Sequence, residues 1–241
     1  MRIVKHIPNT ITSVNLLCGV LGMIFTFEGR LDWAFYSMLI ASVCDFCDGL
    51  SARLLNAYSN IGKELDSLAD VVSFGVLPSL MLYKLMTVTA GNGLYCYIPL
   101  IIAVLSGVRL AKFNVDERQT ENFIGLPTPA CAIICGSFAY FVSVEASGVM
   151  AGWAATKFFI PVCSVVLSLL LVSELPMFSM KFKKNSKSDA VINRLRICFA
   201  ATVAISVALV IILGLNWSFA ILVTFVSYIV LNAIAYPFSR K

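Results

Sequence analysis

Asp45-Phe46-Cys47-Asp48-Gly49-Leu50-Ser51-Ala52-Arg53, then eight residues, then Gly62-Lys63-Glu64-Leu65-Asp66-Ser67-Leu68-Ala69-Asp70: this stretch decides the fold. Apolar runs lead into it and out of it. An aspartate inside a bilayer helix is expensive and needs a compensating partner. Asp45 and Asp48 are three apart and Asp66 and Asp70 four apart, so each pair shares one face of a helix. Two antiparallel helices would present both pairs to each other. Gly49 and Gly62 would let a backbone or a ligand come close. Here Asp45, Asp48, Glu64, Asp66 and Asp70 outnumber Arg53 and Lys63. Such a site attracts divalent cations. An all-oxygen donor set without His or Cys selects a hard ion such as Mg²⁺ or Mn²⁺.

The chain around this stretch has 241 residues, 59% of them hydrophobic and 13% charged, with a mean hydropathy of +0.90. No soluble domain needs so much apolar surface. The length suits about eight spans of ~20 residues joined by short loops. The fold class is therefore an all-α polytopic membrane protein. The runs place spans near 12–27, 33–54, 63–86, 94–112, 125–145, 153–174, 195–214 and 216–236. Asn9 or Thr10 is a candidate cap for the first helix, and Pro78 a candidate kink in the third. The N-terminal charges resemble those of a signal peptide, but no small-residue cleavage site follows, so the first helix is taken as retained. Residues 1–175 form a membrane core, 176–194 a basic linker, and 195–241 a C-terminal hairpin. No internal repeat is visible.

Net charge is +5. Nucleic acid is not the partner this implies, because the charge sorts by loop. With the N-terminus inside, all but Arg30, Lys84 and Lys157 of the 18 basic residues fall on the cytoplasmic side. That asymmetry predicts an even number of spans with both termini cytoplasmic. It also places the aspartates at the cytoplasmic end of spans two and three. The eight cysteines lie in or beside apolar runs, so no disulfide framework is implied. Cys44 and Cys47 read as helix packing rather than a zinc or redox pair. The lone His6 reads as an interfacial residue. The basic run from Lys181 to Lys187 fits a solvated topogenic loop, or a segment that binds anionic membrane lipids.

The spacing D-x2-D-G-x2-A-R-x8-G-x3-D-x3-D resembles the signature of the CDP-alcohol phosphotransferases, and every position of it matches from Asp45 to Asp70. The run Lys63 to Gly75 looks like the phosphatidylserine synthase branch. So do Arg109-Leu110-Ala111-Lys112-Phe113-Asn114 and Gly125-Leu126-Pro127-Thr128-Pro129-Ala130. The first of these carries Lys112 where arginine is usual, which removes the bidentate fork. The resemblance runs over roughly residues 5–135. It implies a core of about six helices with the C-terminal hairpin added to it. It implies transfer of a phosphatidyl group from CDP-diacylglycerol to an alcohol, L-serine on this branch. It implies two divalent cations held by Asp45, Asp48, Asp66 and Asp70, with Asp70 also the general base. Metal coordination weakens a base, so Asp70 should be the least tightly coordinated. Gly49, Ala52, Arg53, Ser59 and Gly62 match positions around the nucleotide, and Asn9 and Thr12 could reach it from the first helix. Arg109, Lys112 and Asn114 are candidate serine contacts, with positive-inside anchoring as the competing reading. Glycerol 3-phosphate or an inositol phosphate is the alternative acceptor. A cation-coupled transporter is the alternative of another class. The oligomeric state is open between monomer and homodimer.

Overall fold

The computed structural model describes residues 6–115, 123–145, 148–177 and 189–239. The N-terminal lead, Arg118, the run Lys181–Lys187, Arg240 and Lys241 lie outside the described residues. The chain is helical almost throughout. Four helical rods among the described residues are long and apolar enough to cross a membrane: Ile7–Phe27, Asn60–Thr89, Leu94–Val115 and Arg196–Leu213. Thr128–Val144, Phe159–Val172 and Ser218–Ile234 are shorter and apolar. Helix α2, Leu31–Leu54, carries the charges of the aspartate stretch along its length. The molecule is thus a polytopic membrane protein.

Helix α1 spans Ile7–Phe27 and starts earlier than its apolar run. Pro8 stands in its first turn, where a missing N–H costs nothing and the fixed φ already suits a helix. Asn9 and Thr10 are therefore inside α1, not caps. Its buried residues are Pro8, Thr12, Asn15, Gly19, Gly22 and Thr26, a seam of small and polar side chains at spacings of three and four. Its exposed residues include Leu17, Ile24 and Phe27. This is a membrane helix built inside out, with close packing on small residues and bulky chains left to lipid.

α2 packs along α1 and ends in a Schellman turn. Asn56 takes the left-handed conformation (φ 49°). The Asn56 N–H donates to the Arg53 carbonyl and the Ala57 N–H to the Ala52 carbonyl, which satisfies two end carbonyls of the helix. α3, Asn60–Asp70, opens on Ser59, whose Oγ accepts from the Gly62 N–H at 3.0 Å. A π-helical segment, Val71–Val76, follows and runs into α4, Leu77–Thr89. The irregularity expected at Pro78 is thus a π-segment lying just after Asp70. Such segments accumulate at functional sites.

A 3₁₀ stretch, Leu94–Leu100, leads into α5, Ile101–Val115. α6, Thr128–Val144, is buried on nearly every side and touches α2, α4 and α10. The single run expected over 153–174 is broken into α7, Val149–Ala154, and α8, Phe159–Val172. The Thr156 Oγ1 accepts from the Phe159 N–H at 3.3 Å there, and Pro161 sits in the first turn of α8. Strand β1, Phe123–Ile124, pairs antiparallel with β2, Pro176–Met177. Gly125 next to it has φ +76°, and a Cβ there would lie 2.7 Å from the Leu171 carbonyl oxygen. Only glycine fits that approach. It docks the entry to α6 on the end of α8. α9, Asp189–Leu213, packs on α10, Ser218–Ser239, which in turn packs on α6. Trp217 at the hairpin stacks on Phe35 and Tyr36, with ring centroids 5.8 and 6.2 Å away. The hairpin is a wall of the bundle.

The three basic residues assigned to the outer side do gather at one end. Lys84 Nζ donates to the Phe27 carbonyl at the end of α1, one turn from Arg30. Lys157 sits over Tyr95, whose hydroxyl bonds the carbonyls just after α4. The aspartates lie at the opposite ends of these helices.

Candidate active site at the aspartate cluster

α1, α2 and α3 bring the aspartates together. One carboxylate oxygen from each of Asp45, Asp48 and Asp66 lies within 4.8 Å of the others. Asp48 is buried, and the other two are half-buried. Like charges at this separation repel. The Asp66 Oδ1 is buried without a hydrogen-bond partner among the described residues. A buried carboxylate oxygen without a partner, on a residue grouped with two more carboxylates, is what a hard cation needs, so the residues present fit such an ion.

α1 supplies the neutral donors. Thr12 Oγ1 donates to Asp48 Oδ2 at 2.6 Å. Asp70, buried, stands outside the trio. It accepts from the Asn15 Nδ2 at 3.4 Å. Ser73 Oγ, on the π-segment, donates to the Asn15 carbonyl oxygen at 3.0 Å and pins α1 beside Asp70. Asn15 is absent from the motif reading above. Its signal was the α1 seam, where an amide interrupts an apolar run in register with Thr12.

A cavity of about 430 Å³ opens beside the trio. Asn9, Thr12, Asp48, Gly49, Ala52, Ser59, Gly62 and Asp66 all line it. The Schellman turn and the Ser59 cap set the Ala57–Asn60 wall. At Gly62 a Cβ would come within 2.8 Å of the Asn9 Oδ1 and 2.9 Å of the Ser59 Oγ, so glycine lets α1 and the loop close over α3.

Four of the expected contact residues, Arg53, Arg109, Lys112 and Asn114, do not line that cavity. Arg53 does not line the cavity: it is exposed, and its Nε donates to the Gly49 carbonyl one turn back at 3.2 Å. Arg109 and Lys112 do not share an environment. Arg109 is buried and Lys112 exposed: the two lie near one face of α5, but the helix is covered at Arg109 and Leu110 and open from Ala111 to Phe113. Arg109 Nη1 donates to Thr128 Oγ1 at 3.0 Å. Its Nε has no partner among the described residues. Its charge interacts with that of Asp70. Asn114 serves as a tie between α5 and α3: its Nδ2 donates to Ser67 Oγ at 2.8 Å, and its carbonyl accepts from Lys63 Nζ at 2.9 Å.

A cavity at one end of the helices, a carboxylate trio and a small-residue wall in the spacing noted above are a specific combination. The family model described as CDP-alcohol phosphatidyltransferase matches residues 5–161. The chain belongs to that family. It is 37% identical over 140 residues to the CDP-diacylglycerol–serine O-phosphatidyltransferase of Bacillus subtilis (strain 168), covering 56% of this chain and 77% of that protein. It is 33% identical over 182 residues to the protein of that name from Mycobacterium leprae (strain TN), covering 72% of this chain and 58% of that one. The archaetidylserine synthase of Methanothermobacter thermautotrophicus is 37% identical over 138 residues, 55% of this chain and 57% of its own. Membership of this family leaves no need for the transporter reading.

Proposed function

We propose that this protein makes phosphatidylserine and CMP from CDP-diacylglycerol and L-serine. The observation that carries the reading is the carboxylate trio within 4.8 Å, two of whose members, Asp48 and Asp66, stand on the wall of a cavity lined by matched motif positions. The relatives named for serine transfer support the choice of acceptor. The protein sits in the cell membrane with about eight spans and both termini in the cytoplasm, and the site opens to that side.

Asp45, Asp48, Asp66 and Asp70 would hold two divalent cations, Mg²⁺ or Mn²⁺. Bound there, the ions neutralise the diphosphate and the charge on the entering and leaving oxygens. The protein positions the reactants, which is most of what phosphoryl transfer asks. Gly49, Ala52 and Gly62 leave room for the nucleotide, and Asn9, Thr12 and Ser59 offer it polar contacts. Arg53, beside Gly49 at the rim, can swing its guanidinium to the diphosphate. Arg109, oriented by Thr128, holds the serine carboxylate with its free Nε. Asp70 takes the proton of the serine hydroxyl. That oxygen bonds to the phosphorus that carries diacylglycerol, and the bond from this phosphorus to CMP breaks.

The test uses purified protein with CDP-diacylglycerol and labelled L-serine, glycerol 3-phosphate and inositol phosphate, with and without Mg²⁺ or Mn²⁺. Metal-dependent CMP release with formation of labelled phosphatidylserine is the expected result. Release only with a phosphate-bearing acceptor, or turnover indifferent to chelation, would overturn the reading.

A further inference from the structure

We propose that Asn15 is a positioning residue for Asp70, and so for the proton transfer assigned to it; this rests on the reaction proposed above. Asn15 is fully buried at 0% exposure in the middle of α1. An amide there is out of place unless it is used, because the surrounding run is apolar and small residues fill the seam on either side. Packing alone does not explain it. A purely structural amide would satisfy both ends, whereas the Asn15 Oδ1 has no partner among the described residues. The contact that orients the side chain is the one from Nδ2 to Asp70 Oδ1. The backbone at the same residue is independently fixed, because Ser73 Oγ donates to its carbonyl. Gly19, one turn on, lies so close to Ser73 that a Cβ would collide with it. Asp70 and Ser73 flank the start of the π-segment, so α1 grips both sides of the point where the helix changes pitch. The trio has its own donor on α1, Thr12 on Asp48. Asp70, outside the trio, has Asn15 as its hydrogen-bond donor. The amide therefore sets the direction of the Asp70 lone pairs without contributing to the trio. A base misdirected by about an ångström loses rate steeply while binding is spared.

The experiment compares wild type with Asn15→Ala and Asn15→Leu in the full-length protein. Leu restores the lost volume without an amide, so an effect common to both belongs to the amide. Three quantities are read: kcat and KM for CMP release with the acceptor panel, Mn²⁺ binding by electron paramagnetic resonance, and Tm. Both variants should lose kcat by about 10- to 100-fold, the range for outer-shell partners of an active group. The KM for CDP-diacylglycerol and the Mn²⁺ affinity of the tighter site, at the trio, should stay within about twofold. An unchanged kcat overturns the proposal. So does a fall in kcat that comes only with lost Mn²⁺ binding at the trio or lowered Tm in both variants. A wild type that uses another alcohol overturns the serine reading alone, and Asn15 is then judged on that alcohol. A wild type that turns over none overturns both.

Discussion

α1 and α6 are alike in hydropathy and opposite in construction. α6 is buried nearly all round, with Cys131, Ala132, Gly136, Ser137, Ala139 and Tyr140 among the residues packed inside the bundle. α1 buries one narrow seam and gives its large side chains to lipid. Two polar members of that seam, Thr12 and Asn15, each donate to a site carboxylate. The two helices therefore divide the work: α6 is a pillar, and the α1–α2–α3 group is the machine. Damage to the pillar should appear in stability, and damage to the machine in rate.

The largest break of that division is expected at Asp66. Asp66→Asn should lower turnover by more than about a hundredfold, beyond the loss seen for outer-shell partners, and should abolish tight Mn²⁺ binding. The Tm of the metal-free protein should hold or rise, since one like charge leaves a crowded cluster. Near-normal turnover at ordinary metal levels would remove the metal-site assignment.

Arg109→Ala comes next. Loss of a charge-assisted contact predicts a serine KM raised roughly 10- to 150-fold, with the KM for CDP-diacylglycerol little changed. Arg109 sits on the border of the comparison, because it is buried like a pillar residue and bonded to Thr128 at the head of α6. A lowered Tm with an unchanged serine KM would move it to the structural side.

Much of this architecture was legible in the chain. The four aspartates and the sorting of Arg30, Lys84 and Lys157 away from them follow from local chemistry, and the structure gathers the three cations at one end and the aspartates at the other. What was not legible depends on distant packing. Asn15 has no motif of its own and acquires meaning only when Asp70 arrives beside it. The π-segment at Val71–Val76 leaves no mark in composition, so Pro78 drew the attention instead. The spacing of Arg109 and Lys112 put them on one helix face, but whether that face is covered depends on the helices packed against α5. That Trp217 clamps the C-terminal hairpin against Phe35 and Tyr36 joins residues from opposite ends of the chain.

A pure pillar effect is expected at Gly136. A Cβ there would come within 3.0 Å of the Phe35 ring and would strike the Met38 methyl group. Gly136→Leu should cost about 1–3 kcal/mol through overpacking. A thermal melt should show the loss, while both KM values of the surviving protein stay at wild type. A selective rise in either KM would mean that α6 shapes the site directly.

The smallest effect tests whether a single side chain can serve both functions at once. Ser59 caps α3 through the Gly62 N–H and lines the cavity. Removing a cap costs about 1 kcal/mol of helix stability. The first turn of α3 is also where Gly62 meets Asn9, so fraying there loosens the cavity wall before it unfolds anything else. Ser59→Ala should therefore raise the KM for CDP-diacylglycerol by a few-fold, on the order of the tenfold that ~1.4 kcal/mol allows. The KM for serine should not move, because Arg109 stands on α5. Ser59→Asp and Ser59→Asn separate the two functions. Both keep the cap, but the aspartate adds a negative charge beside the diphosphate. If Asn restores the wild-type KM and Asp does not, the cavity senses charge at this position and the cap is its frame. If both restore it, Ser59 acts through the helix end alone, and its contact with the nucleotide falls.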